Sequence, residues 1–225
     1  MSTDTTTTTT TIDRAPALRV DYALDLICPW CWIGLRHLRT ALRGLLAQDP
    51  GIALQLRWHA STLLPHISPE GVAYQAFYEA RLGSREAVLA RRAQVQAHAQ
   101  PVGITLAFDS IERFPNSALA CALVNVAQEQ LGLIAMSDFV ESLYDAYFVQ
   151  GQDIGQARVL LDLARAARVE CSPEQLMAAG LRSCSLPSQG VPHFVFNERV
   201  QITGAVPAEQ LLAAMAQALP NGVTA

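Results

Sequence analysis

The sequence contains no run approaching the ~18 consecutive uncharged apolar residues that a membrane span requires, so no segment reads as one. It also lacks an excess of positive charge. Net charge is -4, and the aromatic residues, 7% of the chain, are not interleaved with Lys or Arg in any patch. Nucleic acid is therefore not an expected partner, and neither is a membrane. A second CxxC pair and a His-x3-5-His spacing are both missing, and Cys121, Cys171, Cys184, His59 and His193 occur singly. A four-ligand zinc site has little to be built from. The five cysteines are an odd number, which speaks against a structural disulfide framework and shifts weight towards catalysis or metal. No internal repeat is present. The opening "MSTDTTTTTTTIDRAPA" has no basic n-region, apolar h-region or cleavage site. Residues 1–17 read as a disordered Thr-rich tail, and the protein is expected to be cytoplasmic.

What is present begins with a strand pattern. At 225 residues with 51% apolar content, the chain suits one domain carrying an insertion, or two small domains, and needs no disulfide to fold. Residues 18–27, "LRVDYALDLI", alternate and then close apolar, as a strand in a buried sheet does. From Pro29 to Gln48, Trp32, Leu35, Leu38, Leu42 and Leu45 recur at helical spacing, and "QDPG" stops the helix. Residues 52–59, "IALQLRWH", alternate again. A βαβ unit with parallel strands and a right-handed crossover follows. From about Val72 to Leu181 the chain is rich in Ala, Leu, Gln and Arg and reads as an all-helical block, broken at Gly83, Pro101–Gly103, Phe114–Asn116, Gly132 and Gly151. Asn116, then Ser137 or Asp138, then Asp153 are the expected N-caps inside it. Residues 190–205, "GVPHFVFNERVQITGA", predict a hairpin turning at Asn197–Arg199, and "PAEQLLAAMAQAL" a final helix.

The stretch "LDLICPWCWIGLRHL", residues 24–38, places two cysteines at the junction of the first strand and first helix. With Cys28 as N-cap, Pro29 falls at N1, where its missing N–H costs nothing, and Cys31 at N3. Residues three apart share a helix face at ~5 to 6 Å, inside the separation an unstrained disulfide tolerates. Cys28 also faces the free N–H groups and positive dipole end of the helix, which favour a thiolate. The spacing therefore predicts a dithiol centre with Cys28 as nucleophile and Cys31 as the resolving thiol. Half of a metal site and two inert core thiols remain as other readings of the same pair. "GVPHFVF", residues 190–196, is a second signal; on its own it reads as an ordinary trans proline opening a strand.

"CPWCWIG" after a strand, "GVPHFVF" before a hairpin with "GA", "WHASTLLP" after the second strand, "NSALA" opening a helix and "YDAYFVQGQDI" late in the helical block together resemble the DsbA-like branch of the thioredoxin superfamily, especially its FrnE-like members. The resemblance covers about residues 18–219. It implies an α/β, thioredoxin-like fold formed by residues 18–64 and 186–220, with a large all-helical insertion at 65–185. It implies a catalytic pair at Cys28 and Cys31, and a cis peptide bond between Val191 and Pro192 opposite that pair. Pro29, Trp30, Val191 and Pro192 become the substrate-binding residues, the residue before the cis proline offering its backbone to an extended substrate as in strand addition. No metal or flavin is implied, because the electrons pass through sulfur. The partners are thiol and disulfide substrates, protein or low-molecular-weight, with glutathione as an optional co-substrate. The oligomeric state stays open, a homodimer among the options. The chain departs from the pattern at 177–189, "MAAGLRSCSLPSQ", which is shorter than the corresponding segment of related sequences, and it carries no extra C-terminal cysteine pair.

A glutathione-dependent small-molecule isomerase or kappa-class transferase on the same fold is the alternative activity, and a non-catalytic binding module the third. Among the other residues, Trp30 is expected to be exposed on the binding surface. Asp25 is expected as a solvated strand-edge carboxylate, with a role as proton acceptor for Cys31 the alternative. His37, His59 and His193 read as helix-face, strand-end and packing residues, and Tyr144, Tyr147 and Phe148 as core of the helical block. Cys171 and Cys184 are expected to be free thiols.

Overall fold

A computed structural model describes residues 17–180 and 190–219. Its sheet has four strands in the order β2-β1-β5-β6: β1 (Ala17–Leu24), β2 (Ala53–Ala60), β5 (His193–Phe196) and β6 (Val200–Thr203). β1 is central, parallel to β2 and antiparallel to β5. Its position between two partners explains the apolar sequence, since Leu18, Val20, Tyr22 and Leu24 are wholly buried. The connection from β1 to β2 is α1 (Pro29–Gln48), whose inward face carries Cys31, Leu35, Leu38, Leu42 and Leu45 as the periodicity requires. The closing helix α8 (Ala208–Ala218) packs on α1.

β5 and β6 form the expected hairpin, with the turn at Asn197 and Glu198 in the left-handed region, φ 49 and 57. That geometry matches the right-handed twist of the flanking strands and suits Asn. The Asn197 side chain also stitches the turn to the sheet: its Oδ1 accepts from the Arg19 N–H at 2.7 Å, and its Nδ2 donates to the carbonyls of Ala17 and Ala218.

The block between β2 and β5 is not wholly helical. α2 (Tyr74–Leu82), α3 (Arg85–Ala99), α4 (Ala118–Ala127), α5 (Leu133–Phe148), α6 (Ala157–Ala166) and α7 (Pro173–Gly180) are joined by a two-stranded ladder of β3 (Val72–Ala73) and β4 (Arg113–Phe114). A two-residue ladder is too short to leave an alternating signature. The expected caps also move. Ser117 is the N-cap of α4, because Asn116 instead turns its Oδ1 to the Ala118 N–H and its Nδ2 to the Ile67 carbonyl. α5 starts at Leu133 with Gly132 as N-cap, and Ser137 sits inside it, its hydroxyl satisfied by the Leu133 carbonyl. α6 starts at Ala157, while Asp153 closes a tight turn by accepting from the Gly155 N–H. In all three cases a short polar side chain bonds locally to the backbone without nucleating the helix beside it. Ala17, assigned to the tail, opens β1, and that strand stops at Leu24, not Ile27. Residues 181–189, with Cys184 and most of the short 177–189 segment, lie outside the described residues.

α4 packs along β2, and α3 and α5 against α1. Trp32 of α1 stacks on Tyr144 of α5 at 5.8 Å, so the helical block and the sheet layer share one apolar core.

Candidate active site

The site grows out of the end of β1. After Leu24 the chain turns through Asp25–Ile27, and the Cys28 N–H donates to the Asp25 carbonyl at 3.1 Å. Cys28 is the N-cap of α1, in an extended conformation with Pro29 following at N1, and the Cys31 N–H donates back to the Cys28 carbonyl at 3.0 Å. Cys28, Pro29 and Trp30 are half-buried at the surface, whereas Cys31 is wholly buried one turn inside. Both are free thiols. Burial pushes the Cys31 thiol well above its ordinary pKa, and the neighbouring Cys28 adds to the rise. The outer sulfur is accessible and the inner one is shielded, an asymmetry that suits an attacking and a resolving thiol.

Behind Cys31 lies a buried polar group that the sequence did not identify as such. Asp25 is 0% exposed, so it is not the solvated strand-edge carboxylate its position suggested. β1 ends three residues earlier than the apolar pattern implied, at Leu24, and the turn folds Asp25 under the following helix. Its Oδ2 accepts from the Leu63 N–H at 2.6 Å and its Oδ1 from the Ile27 N–H at 3.2 Å, while the Cys121 thiol lies 3.8 Å from Oδ1. Burial raises the carboxyl to a pKa of about 6, the Leu63 and Ile27 donors and the Cys121 thiol offsetting part of the effect. Two tyrosines close the chamber: Tyr22 donates to the Cys31 carbonyl at 2.5 Å and Tyr144 to the Asp25 carbonyl at 3.2 Å. Tyr22 sits on the inner face of β1, which the strand periodicity makes legible, but only the fold brings its hydroxyl to α1.

The peptide bond between Val191 and Pro192 is cis. Pro192 is buried and abuts Gly34 of α1, where a Cβ would stand 3.1 Å from Pro192 Cγ and 3.3 Å from Phe194 Cζ. Gly34, the last residue of "CPWCWIG", is thus what lets β5 approach the helix bearing both cysteines. The neighbouring His193 is buried and bonded through Nδ1 to the Thr203 hydroxyl at 2.7 Å, its pKa lowered by that burial. His59 Nε2 lies at hydrogen-bonding distance, 2.8 Å, from Asp21 Oδ1 on the sheet, and is a structural residue.

On the far side of Cys28 a cavity of about 370 Å3 opens between the start of α1 and the α2–α3 pair. Cys28, Pro29 and Trp30 line it, whereas Val191 and Pro192 do not. Trp30, expected to be exposed, is half-buried with its ring edge-on to His98 at 5.0 Å. Much of the remaining wall comes from the helical block and carries aromatic rings, notably Tyr74, Phe77, Tyr78 and Phe114. Residues this far apart in sequence left no motif to find.

A short mixed sheet with α1 and α8 beside it, a CxxC pair at the N-terminus of α1 and helices inserted before the final hairpin define a thioredoxin-fold protein with a helical insertion. The family model for the DSBA-like thioredoxin domain matches residues 19–216, and the chain belongs to that family. The fold is shared with a probable DsbA oxidoreductase from Streptomyces coelicolor, at 22% identity over 89% of each chain and a TM-score of 0.75. It is shared also with a 2-hydroxychromene-2-carboxylate isomerase, at 18% identity over 88% of this chain and 95% of that one, TM-score 0.55. A third is the cytosolic disulfide reductase DsbM from Pseudomonas aeruginosa, solved with glutathione, at 21% identity over 89% and 95%, TM-score 0.54. No curated protein matches the chain in sequence. Among the described residues no helix is long and apolar enough to cross a membrane.

Proposed function

We propose that the protein is a thiol–disulfide oxidoreductase in which Cys28 and Cys31 cycle between dithiol and disulfide. The observation that carries this reading is the pairing of a half-exposed thiol at a helix N-cap with a buried thiol three residues on. The Cys28 thiolate attacks one sulfur of a substrate disulfide, forming a mixed disulfide and expelling the other half as a thiolate. Cys31, deprotonated, then attacks the Cys28 sulfur; the Cys28–Cys31 disulfide forms, and the second half of the substrate leaves reduced. Asp25 is the group available to take the Cys31 proton, since its carboxyl titrates near pH 6 inside the same buried chamber. Low-molecular-weight thiols, glutathione among them, would restore the dithiol. No metal or flavin takes part. A cytoplasmic setting, which keeps such a pair reduced, is part of the same reading.

The test is covalent trapping. Cys31→Ser should accumulate a Cys28-linked adduct with a disulfide, visible by intact mass and released by reductant, and Cys28→Ser should not. An adduct mapped to Cys121, Cys171 or Cys184, or equal trapping by both variants, would show the pair to be structural.

The cavity against Cys28 favours a second reading, a glutathione-dependent isomerase or transferase acting on a small molecule. Full turnover of an aromatic substrate with glutathione by Cys31→Ser would select it, because that chemistry needs one sulfur and dithiol exchange needs two.

A further inference from the structure

The volume of the cavity beside Cys28, about 370 Å3, falls in the range of small-molecule sites and is too small for a folded protein surface to enter. Its walls are mainly aliphatic and aromatic side chains, with arginines among them. Phe77 stacks on Phe114 with centroids 4.0 Å apart, Tyr78 stands edge-on to both at 83° and 79°, and Tyr74 is tilted against Tyr78 at 4.8 Å. Ring faces and ring edges presented together favour an aromatic occupant, which can stack on one ring and meet another edge-on. The charged side chains of the lining are all arginines, Arg81, Arg91 and Arg92, and the lining includes no Asp or Glu. Arg92 is committed to the wall: it lies over the Tyr74 and Phe108 rings, bonds to Gln75 Oε1 at 2.8 Å and pairs with Asp109 at 3.0 Å. Its Nε is buried without a partner. Arg81 and Arg91 are exposed at the rim, and among the described residues neither is in an ion pair. Tyr78 adds a hydroxyl that stays protonated, its pKa pushed to about 12 by burial and by the nearby Cys28.

We infer that the cavity selects low-molecular-weight disulfides whose thiol half is a planar aromatic acid, its ring against Phe77 and Tyr78 and its carboxylate at the Arg81–Arg91 rim, so that its sulfur meets Cys28. This rests on the proposed role of Cys28 as nucleophile and goes beyond it in naming the substrate class. The exchange balances without any further cofactor. One substrate S–S bond breaks, the Cys28–Cys31 bond forms, and two electrons pass to the substrate, which leaves as two thiols after taking up the protons of the dithiol. A low-molecular-weight thiol in excess reverses the enzyme's oxidation by the same exchange.

The experiment uses full-length Cys31→Ser and follows adduct formation at Cys28 with four symmetric disulfides. They are those of 4-mercaptobenzoic acid, 4-methylthiophenol, 3-mercaptopropionic acid and cysteamine. Each rate is divided by that of free dithiothreitol with the same disulfide, which removes differences in leaving-group reactivity. Aromatic packing predicts that the benzoate disulfide exceeds the aliphatic acid by about 3- to 10-fold after this correction. Two solvent-exposed charge contacts predict that it exceeds the uncharged aromatic by about 5-fold. Arg81→Gln with Arg91→Gln should abolish the second advantage and leave the uncharged aromatic disulfide unchanged; both side chains are exposed, so folding is retained. Phe77→Leu should reduce the first advantage. Equal corrected rates for the four disulfides, or an arginine variant that slows all four alike, would overturn the inference while leaving the oxidoreductase reading in place. Absence of any Cys28 adduct with all four would overturn that reading too.

Discussion

Asp25 is a residue whose chemistry depends on burial. In water its carboxyl would titrate near 3.8, and in the folded protein it does so at about 6. The folded state therefore holds the proton more tightly, and the stability this contributes is fully present below about pH 4 and lost as pH rises through about 6. A shift of about two units corresponds to roughly 3 kcal/mol. Asp25→Asn should remove this part of the profile. Its stability relative to wild type, measured by urea unfolding at a series of pH values, should increase between about pH 4 and 6 and then level off. A difference independent of pH would mean that the carboxyl is not protonated preferentially in the folded state. The same variant separates the two chemical steps. Trapping at Cys28 in the Cys31→Ser background should be unaffected, while in the intact pair release of the second substrate half should slow by about 100-fold, the size of a lost general base. Stopped-flow measurement of the two phases distinguishes this from a general loss of structure, which would slow both.

At the scale of elements, two glycines show how closely backbone segments approach. Ala in place of Gly34 would gain about 1 kcal/mol of helix propensity. Its Cβ, however, would meet Pro192 and Phe194 at 3.1 and 3.3 Å, and Phe194 is held by stacking on Tyr22 at 4.7 Å, so neither can yield. Overpacking at about 1–3 kcal/mol offsets or exceeds the gain, and Gly34→Ala should be destabilised by up to about 2 kcal/mol. Gly151 is the harsher site. It has φ +66, and a Cβ would stand 2.2 Å from the Ser110 carbonyl oxygen, a backbone atom. Gly151→Ala should lose about 3 kcal/mol or more, since left-handed backbone strain adds to the clash. Urea titrations check both, and the expected order, Gly151 worse than Gly34, is the discriminating result.

The whole molecule is expected to unfold as one unit, although its sequence reads as one domain carrying an insertion or as two small domains. Trp32 on Tyr144, the Tyr144 hydroxyl on the Asp25 carbonyl, and the packing of α4 along β2 tie the helical block to the sheet layer through one continuous core. Far-UV circular dichroism, dominated by the helical block, and tryptophan fluorescence, with Trp58 on β2 and Trp30 and Trp32 on α1, should therefore report coincident denaturant midpoints. Separate midpoints would mean that residues 65–185 form an independently stable domain.

The order of elements, the CxxC pair at a helix N-cap and the late hairpin were legible in the sequence. Each rests on interactions between residues a few positions apart: the period-2 and 3.6 patterns, Pro at N1, and the tolerance of Asn197 for left-handed backbone. The helix starts at Ala118, Leu133 and Ala157 were misplaced because Asn116, Ser137 and Asp153 had local backbone partners that propensity does not rank. Local pattern also implied a solvated Asp25 and an exposed Trp30, and neither held, because exposure depends on what distant segments cover. Leu63 reaches Asp25 across 38 positions, Tyr144 across 119, and the distant rings of the cavity wall come from three separate segments, around Tyr74–Tyr78, Phe108 and Phe114. Which residues could do redox chemistry was thus written in the sequence near positions 28 and 31. The buried carboxyl behind them and the aromatic, arginine-rimmed chamber in front were decided by tertiary structure, because burial and long-range contact are set by packing and leave no periodic trace in the chain.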